Sequence, residues 1–248
     1  KVDGLEIRYA EINKDADKCL VFLHGWGGSL DSWKGFLSGF AGENVRILAL
    51  DLPGFGQSQH PPQPWTVADY SNLLKNFLDE LRLNKIYLFG HSFGGQIAVK
   101  FAHAYPERLK KLFLSGAAVI RPKPSLSKII LSLLAKVFKI LLLGKGKRLR
   151  RFIYRAIGSA DYGNLTESVM RQTMANVIAD DLSSLLPEIK LPAVIIWGKN
   201  DAYTPYQHFL RIKKLMPKAK TFVFNDAKHG LHLQKPKELK QIVMDNLN

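Results

Sequence analysis

At 248 residues the chain has the size of one large domain, or of one domain carrying an insertion. A composition of 46% hydrophobic and 23% charged residues, with 19 Gly and 12 Pro, excludes a disordered or fibrous protein. The single cysteine, Cys19, excludes an internal disulfide and a thiolate zinc site. The 36 Lys and Arg against 21 Asp and Glu give a net charge of +15, which raises nucleic acid or an anionic membrane as a partner until the distribution of that charge is considered.

Taken in chain order, Leu5 to Ile12 alternates like an edge strand. Cys19 to Leu23 is a short apolar run that stops at His24-Gly25-Trp26-Gly27-Gly28, so a strand should feed a Gly-rich loop. Val45 to Leu50 repeats the pattern, ending in the turn-forming stretch from Asp51 to Ser58. From Thr66 to Leu81 apolar residues recur every three or four positions behind a capping Thr66, which predicts an amphipathic helix. A strand at Ile86 to Phe89, a helix at Phe93 to Ala104 and a strand at Leu112 to Leu114 follow. Later come strands at Val194 to Trp197 and Thr221 to Phe224, with helices near Tyr206 to Leu215 and from Pro236 to Leu247.

Strands that alternate with helices predict a mostly parallel, doubly wound α/β sheet whose ligands gather at the carboxyl ends of the strands. The stretch from 118 to 186 interrupts the alternation with mainly helical pattern. It divides the chain into a core of residues 1–117 and 187–248 and an inserted helical cap, or lid, of residues 118–186.

Gly90-His91-Ser92-Phe93-Gly94-Gly95 is a G-x-S-x-G motif lying between a predicted strand and a predicted helix, the context in which it presents a nucleophilic serine. A serine hydroxyl needs a base, and the base needs a group to orient it. Asp201 just past one strand and His229 just past the next supply both, in the order Ser, acid, His. His232 is the rival base and Asp226 the rival acid. The oxyanion requires two amides, expected from Phe93, which follows the nucleophile, and from Trp26 in the first Gly-rich loop. The side chains of Trp26 and Phe93 are expected to contact substrate. His24 and His91 flank these motifs in supporting positions, while His60, His103 and His208 read as surface residues.

On these motifs the chain resembles the α/β-hydrolase fold family over nearly its whole length. It is similar to that fold's branch of carboxylesterases, carbon–carbon bond hydrolases and acyl-ester hydrolases with a helical cap. The resemblance implies a serine esterase with a Ser92–His229–Asp201 catalytic triad and an oxyanion hole, acting on an ester or related acyl bond of a small to medium apolar substrate without a metal or organic cofactor. It also casts Asp51 to Ser58 as a structural turn, and Ser92 argues against the branches that use an aspartate nucleophile. Carbon–carbon bond hydrolysis uses the same residues. A catalytically idle fold whose cap binds a membrane or a partner is a third possibility.

The excess charge is localised. Residues 108 to 160 hold 14 bases and no acid, and the other 195 residues hold 22 bases and 21 acids. This segment lacks the interleaved aromatics and zinc-finger spacing of a nucleic-acid reader. Around Ile129 to Leu143 it reads as a basic amphipathic helix, about 22 Å long at 1.5 Å per residue and too short for a hydrocarbon core of roughly 30 Å. It suits a lid over the site or contact with an anionic membrane surface. No signal-peptide pattern opens the sequence, so a cytoplasmic protein, free or peripheral at a membrane, is expected.

Overall fold

The structure is a computed structural model that describes residues 1–121 and 168–247. Its strands are β1 (Tyr9–Ile12), β2 (Cys19–Leu23), β3 (Arg46–Leu50), β4 (Ile86–His91), β5 (Leu109–Ser115), β6 (Ala193–Gly198) and β7 (Lys220–Phe224). The helices among the described residues are α1 (Leu30–Leu37), α2 (Val67–Glu80), α3 (Phe93–Ala104), α4 (Ser168–Ala179), α5 (Tyr206–Leu215), α6 (Leu231–Gln234) and α7 (Pro236–Met244).

The seven strands form one sheet in the order β1-β3-β2-β4-β5-β6-β7, parallel throughout except for β1, which runs antiparallel to β3. This is the α/β architecture expected from the sequence. Successive side chains of a strand point to opposite faces, so each strand feeds two cores. Val21 and Leu23 of β2 and Leu88 of β4 join the layer under α2, α3 and α5, whereas Leu20, Phe22 and Phe89 join the one under α1 and α7. Strands buried on both faces read as continuous apolar runs, which is why their positions were visible.

The edge strand is shorter than expected. Glu6 and Arg8 leave the ladder because β3 ends at Leu50, and they bond instead to the turn that follows it, Arg8 O accepting from Asp51 N and Glu6 O from Gln59 N. Helix α2 starts as predicted, with Thr66 Oγ1 accepting from Asp69 N. Helix α1 was not anticipated. Its Leu30, Trp33, Phe36 and Leu37 have helical spacing and are buried, but Gly35 within it and the glycines before it suppress the local signal.

The expected basic helix around Ile129 to Leu143 lies outside the described residues. Among the described residues no helix is long and apolar enough to cross a membrane. The described ends of the interruption meet, Leu182 N donating to Val119 O and Arg121 N to Asp181 Oδ2. Helix α4 is bound to the loop before α2, where Trp65 N donates to Thr173 Oγ1 and Asn176 Nδ2 to Trp65 O.

Candidate active site

Strand order reverses between β2 and β4, which are neighbours in the sheet although β3 lies between them in the chain. Such a switch point opens a crevice at the strands' carboxyl ends. Two Gly-rich loops meet there. Ser92 sits between β4 and α3 at φ +54°, ψ −113°, a conformation that costs a non-Gly residue of order 1–3 kcal/mol and persists only when the surroundings impose it. They do so here. Ser92 N donates to Ser115 O, and Ser92 O accepts from both Gly95 N and Ala118 N.

The turn also needs Gly94, whose amide donates to His24 O and whose missing Cβ leaves room for the Leu23 carbonyl. Gly94→Ala would drive a methyl into that backbone. We expect a loss of about 3 kcal/mol or more, read as a lower urea midpoint, and an unchanged midpoint would refute the close approach.

Asp201 and His229 come together. Each lies on a loop after its strand, β6 for Asp201 and β7 for His229. Lys199 N donates to Phe224 O and Asn200 N to Ala227 O, and Gly198 leaves space for the carbonyls of Ala227 and Lys228. His229 Nδ1 lies 2.6 Å from Asp201 Oδ2, with the carboxylate side chain fully buried. Tyr203 N and Thr204 N donate to Asp201 Oδ1 at 2.9 and 2.8 Å, and Thr204 Oγ1 lies 2.7 Å from Oδ2. Burial alone would raise the Asp201 carboxyl, but the donors from His229 and Thr204 outweigh it, so Asp201 lies below the ordinary aspartate value and is ionised at neutral pH.

Ser92 and His229 line one cavity of about 530 Å³, together with Trp26, Trp33, His91 and Tyr203. Among the described residues the Ser92 hydroxyl makes no hydrogen bond. It therefore shares a cavity with His229 without a direct bond to it. Beside Ser92, the Phe93 amide has no acceptor within its helix, being the first residue of α3, and the Trp26 amide donates to no carbonyl of the turn. Gly25 sets the spacing, since a Cβ there would lie 3.1 Å from that of Ser92.

The Trp26 indole packs edge-on against Phe55 and Phe93, with ring centroids 4.9 and 5.2 Å apart, and borders the cavity. The Phe93 side chain departs from expectation. It is buried beneath Trp26 and against Tyr70, because the first turn of α3 faces the aromatic layer, and it does not line the cavity.

The rivals lack the Asp201–His229 arrangement. Asp226 is exposed and paired with Lys235 at 2.6 Å. His232, in α6, borders the same cavity, where it stacks on Trp33 at 4.2 Å and lies 5.1 Å from the ring of His91, and unlike His229 it has no carboxylate partner among the described residues. His24 is structural, its Nδ1 donating to Gly25 O and its Nε2 accepting from Leu52 N. His208, expected at the surface, is half-buried on α5, and its Nδ1 has no partner among the described residues. Asp51 carries the structural turn, accepting from Gln57 N and, through its main-chain carbonyl, from Ser58 Oγ. Sequence reasoning missed Thr204, Trp33 and Tyr203 as parts of the site. Only Thr204 left a signal, a hydroxyl three residues beyond the acid.

The sequence matches the alpha/beta hydrolase fold family over residues 18–141 and 152–236. The chain belongs to that family. It is 30% identical to a 2-hydroxy-6-oxononadienedioate/2-hydroxy-6-oxononatrienedioate hydrolase of Paraburkholderia phymatum, over 98% of this chain and 92% of that protein. Among solved structures it is similar to a bacterial membrane phospholipase A, with 25% identity, a TM-score of 0.76 and coverage of 100% of this chain and 84% of that one. It is also similar to an esterase of Thermogutta terrifontis, with 22% identity, a TM-score of 0.72 and coverage of 97% and 92%.

Proposed function

We propose that the chain is a serine-dependent hydrolase in which Ser92 attacks a substrate carbonyl, His229 takes the serine proton and passes it to the leaving group, and Asp201 orients and stabilises the imidazolium. The amides of Trp26 and Phe93 receive the oxyanion, and water then releases the acyl group from Ser92 as a carboxylic acid. The observation that carries this reading is the 2.6 Å contact of a buried Asp201 with His229, which lines the cavity that also holds Ser92.

For the bond broken, the sequence relatives support a carbon–carbon bond beside a ketone, as in a vinylogous diketone. Ser92 would add to the ketone carbon. The carbon–carbon bond would then break, its electron pair leaving on a conjugated fragment that His229 protonates. Hydrolysis of an ester is the second reading, and one feature of the cavity favours it. Among the described residues its wall carries no Lys, Arg, Asp or Glu, so the second carboxylate of a dioate has no cationic partner there. A neutral substrate suits that lining. The helical cap of residues 118–186 belongs to the same proposal, supported by the two ends of the segment meeting beside the sheet. Contact of the basic stretch with an anionic membrane rests on its composition alone.

A panel of 2-hydroxy-6-oxodienoates with neutral or carboxylate tails, run beside p-nitrophenyl esters from acetate to decanoate, tests the reading. The expected result is kcat/KM for a neutral-tailed dienoate about 100-fold above any ester, within the enzyme range of roughly 10^4–10^8 M⁻¹s⁻¹. Esters turned over faster than every dienoate would transfer the function to the second reading. No turnover of either class would remove both.

A further inference from the structure

We propose that Thr204 is a positioning residue for the Asp201–His229 pair, its hydroxyl donating to the carboxylate oxygen that faces the imidazole and fixing that oxygen in place. The proposal rests on the reading of His229 as the base of the site. Thr204 is buried, and its Oγ1 lies 2.7 Å from Asp201 Oδ2, 3.2 Å from Gly116 O and 3.4 Å from His229 Nδ1. One hydroxyl proton must choose among these neighbours. An ionised carboxylate only accepts, and charge-assisted hydrogen bonds are about twice as strong as neutral ones, so the proton goes to Oδ2 rather than to the carbonyl.

The carboxylate then holds four donors. Oδ1 is bound by the amides of Tyr203 and Thr204, and Oδ2 by His229 and the Thr204 hydroxyl. Without that hydroxyl, Oδ2 would be held only by the imidazole it has to orient. Thr204 is itself anchored, its carbonyl accepting from Trp197 Nε1 at 2.9 Å at the end of β6. The far side is closed by Gly116, at φ +51°, where a Cβ would lie 3.1 Å from His229 Nδ1 and 3.2 Å from Asp201 Oδ2.

The hydroxyl has a second effect, on charge. It competes with His229 for the same oxygen, so it weakens the pull of the carboxylate on the imidazolium proton. The other titratable groups near His229 are His91 from β4, with rings 4.6 Å apart, Tyr203 from the loop after β6, at 5.2 Å, and His232 of α6, on the same cavity and within electrostatic reach. His232 of α6 touches His91, and both imidazoles are held neutral, mainly by burial. His208 of α5 lies within electrostatic reach of Asp201. None of these replaces the donor that Thr204 supplies.

The test compares Thr204→Val, which removes the hydroxyl at nearly constant shape, with Thr204→Ser, which keeps it. Two readouts are followed against pH: the rate of Ser92 labelling by a fluorophosphonate, and protonation of the His229 ring by NMR, which needs no activity. In Thr204→Val the acid limb and the ring titration are expected to move up by about half a pH unit, with labelling at pH 7 about fivefold slower, while Thr204→Ser stays within about twofold of wild type. Should Thr204→Val not fold, Thr204→Ala supplies the same comparison. A folded variant without the hydroxyl whose ring titration overlays wild type overturns the proposal. A wild type that takes no label, beside a shifted titration in the variant, would instead sink the hydrolase reading and leave Thr204's role standing.

Discussion

Ser92→Ala is expected to reduce kcat by about 10^4- to 10^6-fold on whichever substrate the panel identifies, with KM little changed, because in the proposed mechanism the lost atom is the one that forms the covalent bond. The fold should survive. The hydroxyl makes no hydrogen bond among the described residues, and the backbone contacts that impose the turn come from main-chain atoms of Ser115, Gly95 and Ala118. Asp201→Asn should cost about 10^4-fold for a different reason. The two backbone amides that donate to Oδ1 will keep the oxygen of the new amide on their side, so its NH2 falls where Oδ2 now meets His229 Nδ1. A donor then faces Nδ1, the imidazole is driven to the tautomer protonated on Nε2, and it can no longer take a proton from Ser92. Turnover within tenfold of wild type in either variant, with near-native circular dichroism and melting, would mean that these side chains do not carry the reaction.

The parts of this site that could be read in advance are those whose physical cause is local. Gly90 and Gly94 mark a turn that admits no Cβ, and the apolar run before them and the helical period after them are visible within twenty residues. The positions of Asp201 and His229 stand out because each follows a short apolar strand, β6 buried on both faces and β7 half-buried at the sheet edge. Strand ends were less so. The sequence expectation stops β4 at Phe89 and β5 at Leu114, whereas the ladders run on to His91 and Ser115, where polar and small residues continue the pairing without an apolar signature. What stayed hidden depends on contacts between distant segments. Trp33 borders the cavity because α1 packs against α6, and His232 stacks on it across about two hundred residues of chain. Nothing near either residue encodes that meeting. Thr204 left only a hydroxyl three residues beyond the acid, and the carboxylate oxygen it shares with His229 is set by the fold of two distant loops.

Acidification from pH 7 to pH 5 is expected to destabilise the fold by about 2 kcal/mol through His232 alone, with His24 and His91 acting in the same direction. Burial pushes His232 down to about 4, helped by repulsion from His229, and burial is also the main cause of the lowered values of His24 and His91. An unfolded imidazole protonates near 6.5, so between that value and about 4 the unfolded chain binds a proton that folded His232 refuses. Stability therefore rises with pH across that window and is lost as pH falls through it. The structure shows why His24 refuses the proton: its Nε2 accepts from Leu52 N, and a protonated ring would set two N–H groups against each other. Asp201 acts in a lower window. Its depressed carboxyl stabilises the fold above the unfolded value near 3.9 and leaves the range from pH 5 to pH 7 untouched. His232→Phe keeps a ring on Trp33 while removing the titration, so urea unfolding at the two pH values isolates the term. The variant should lose about 2 kcal/mol less than wild type between pH 7 and pH 5, and equal losses would show that His232 carries a proton in the fold. Against a total stability of roughly 5–15 kcal/mol, three such histidines, two of them lining the cavity, make acid the condition under which this region should fail first.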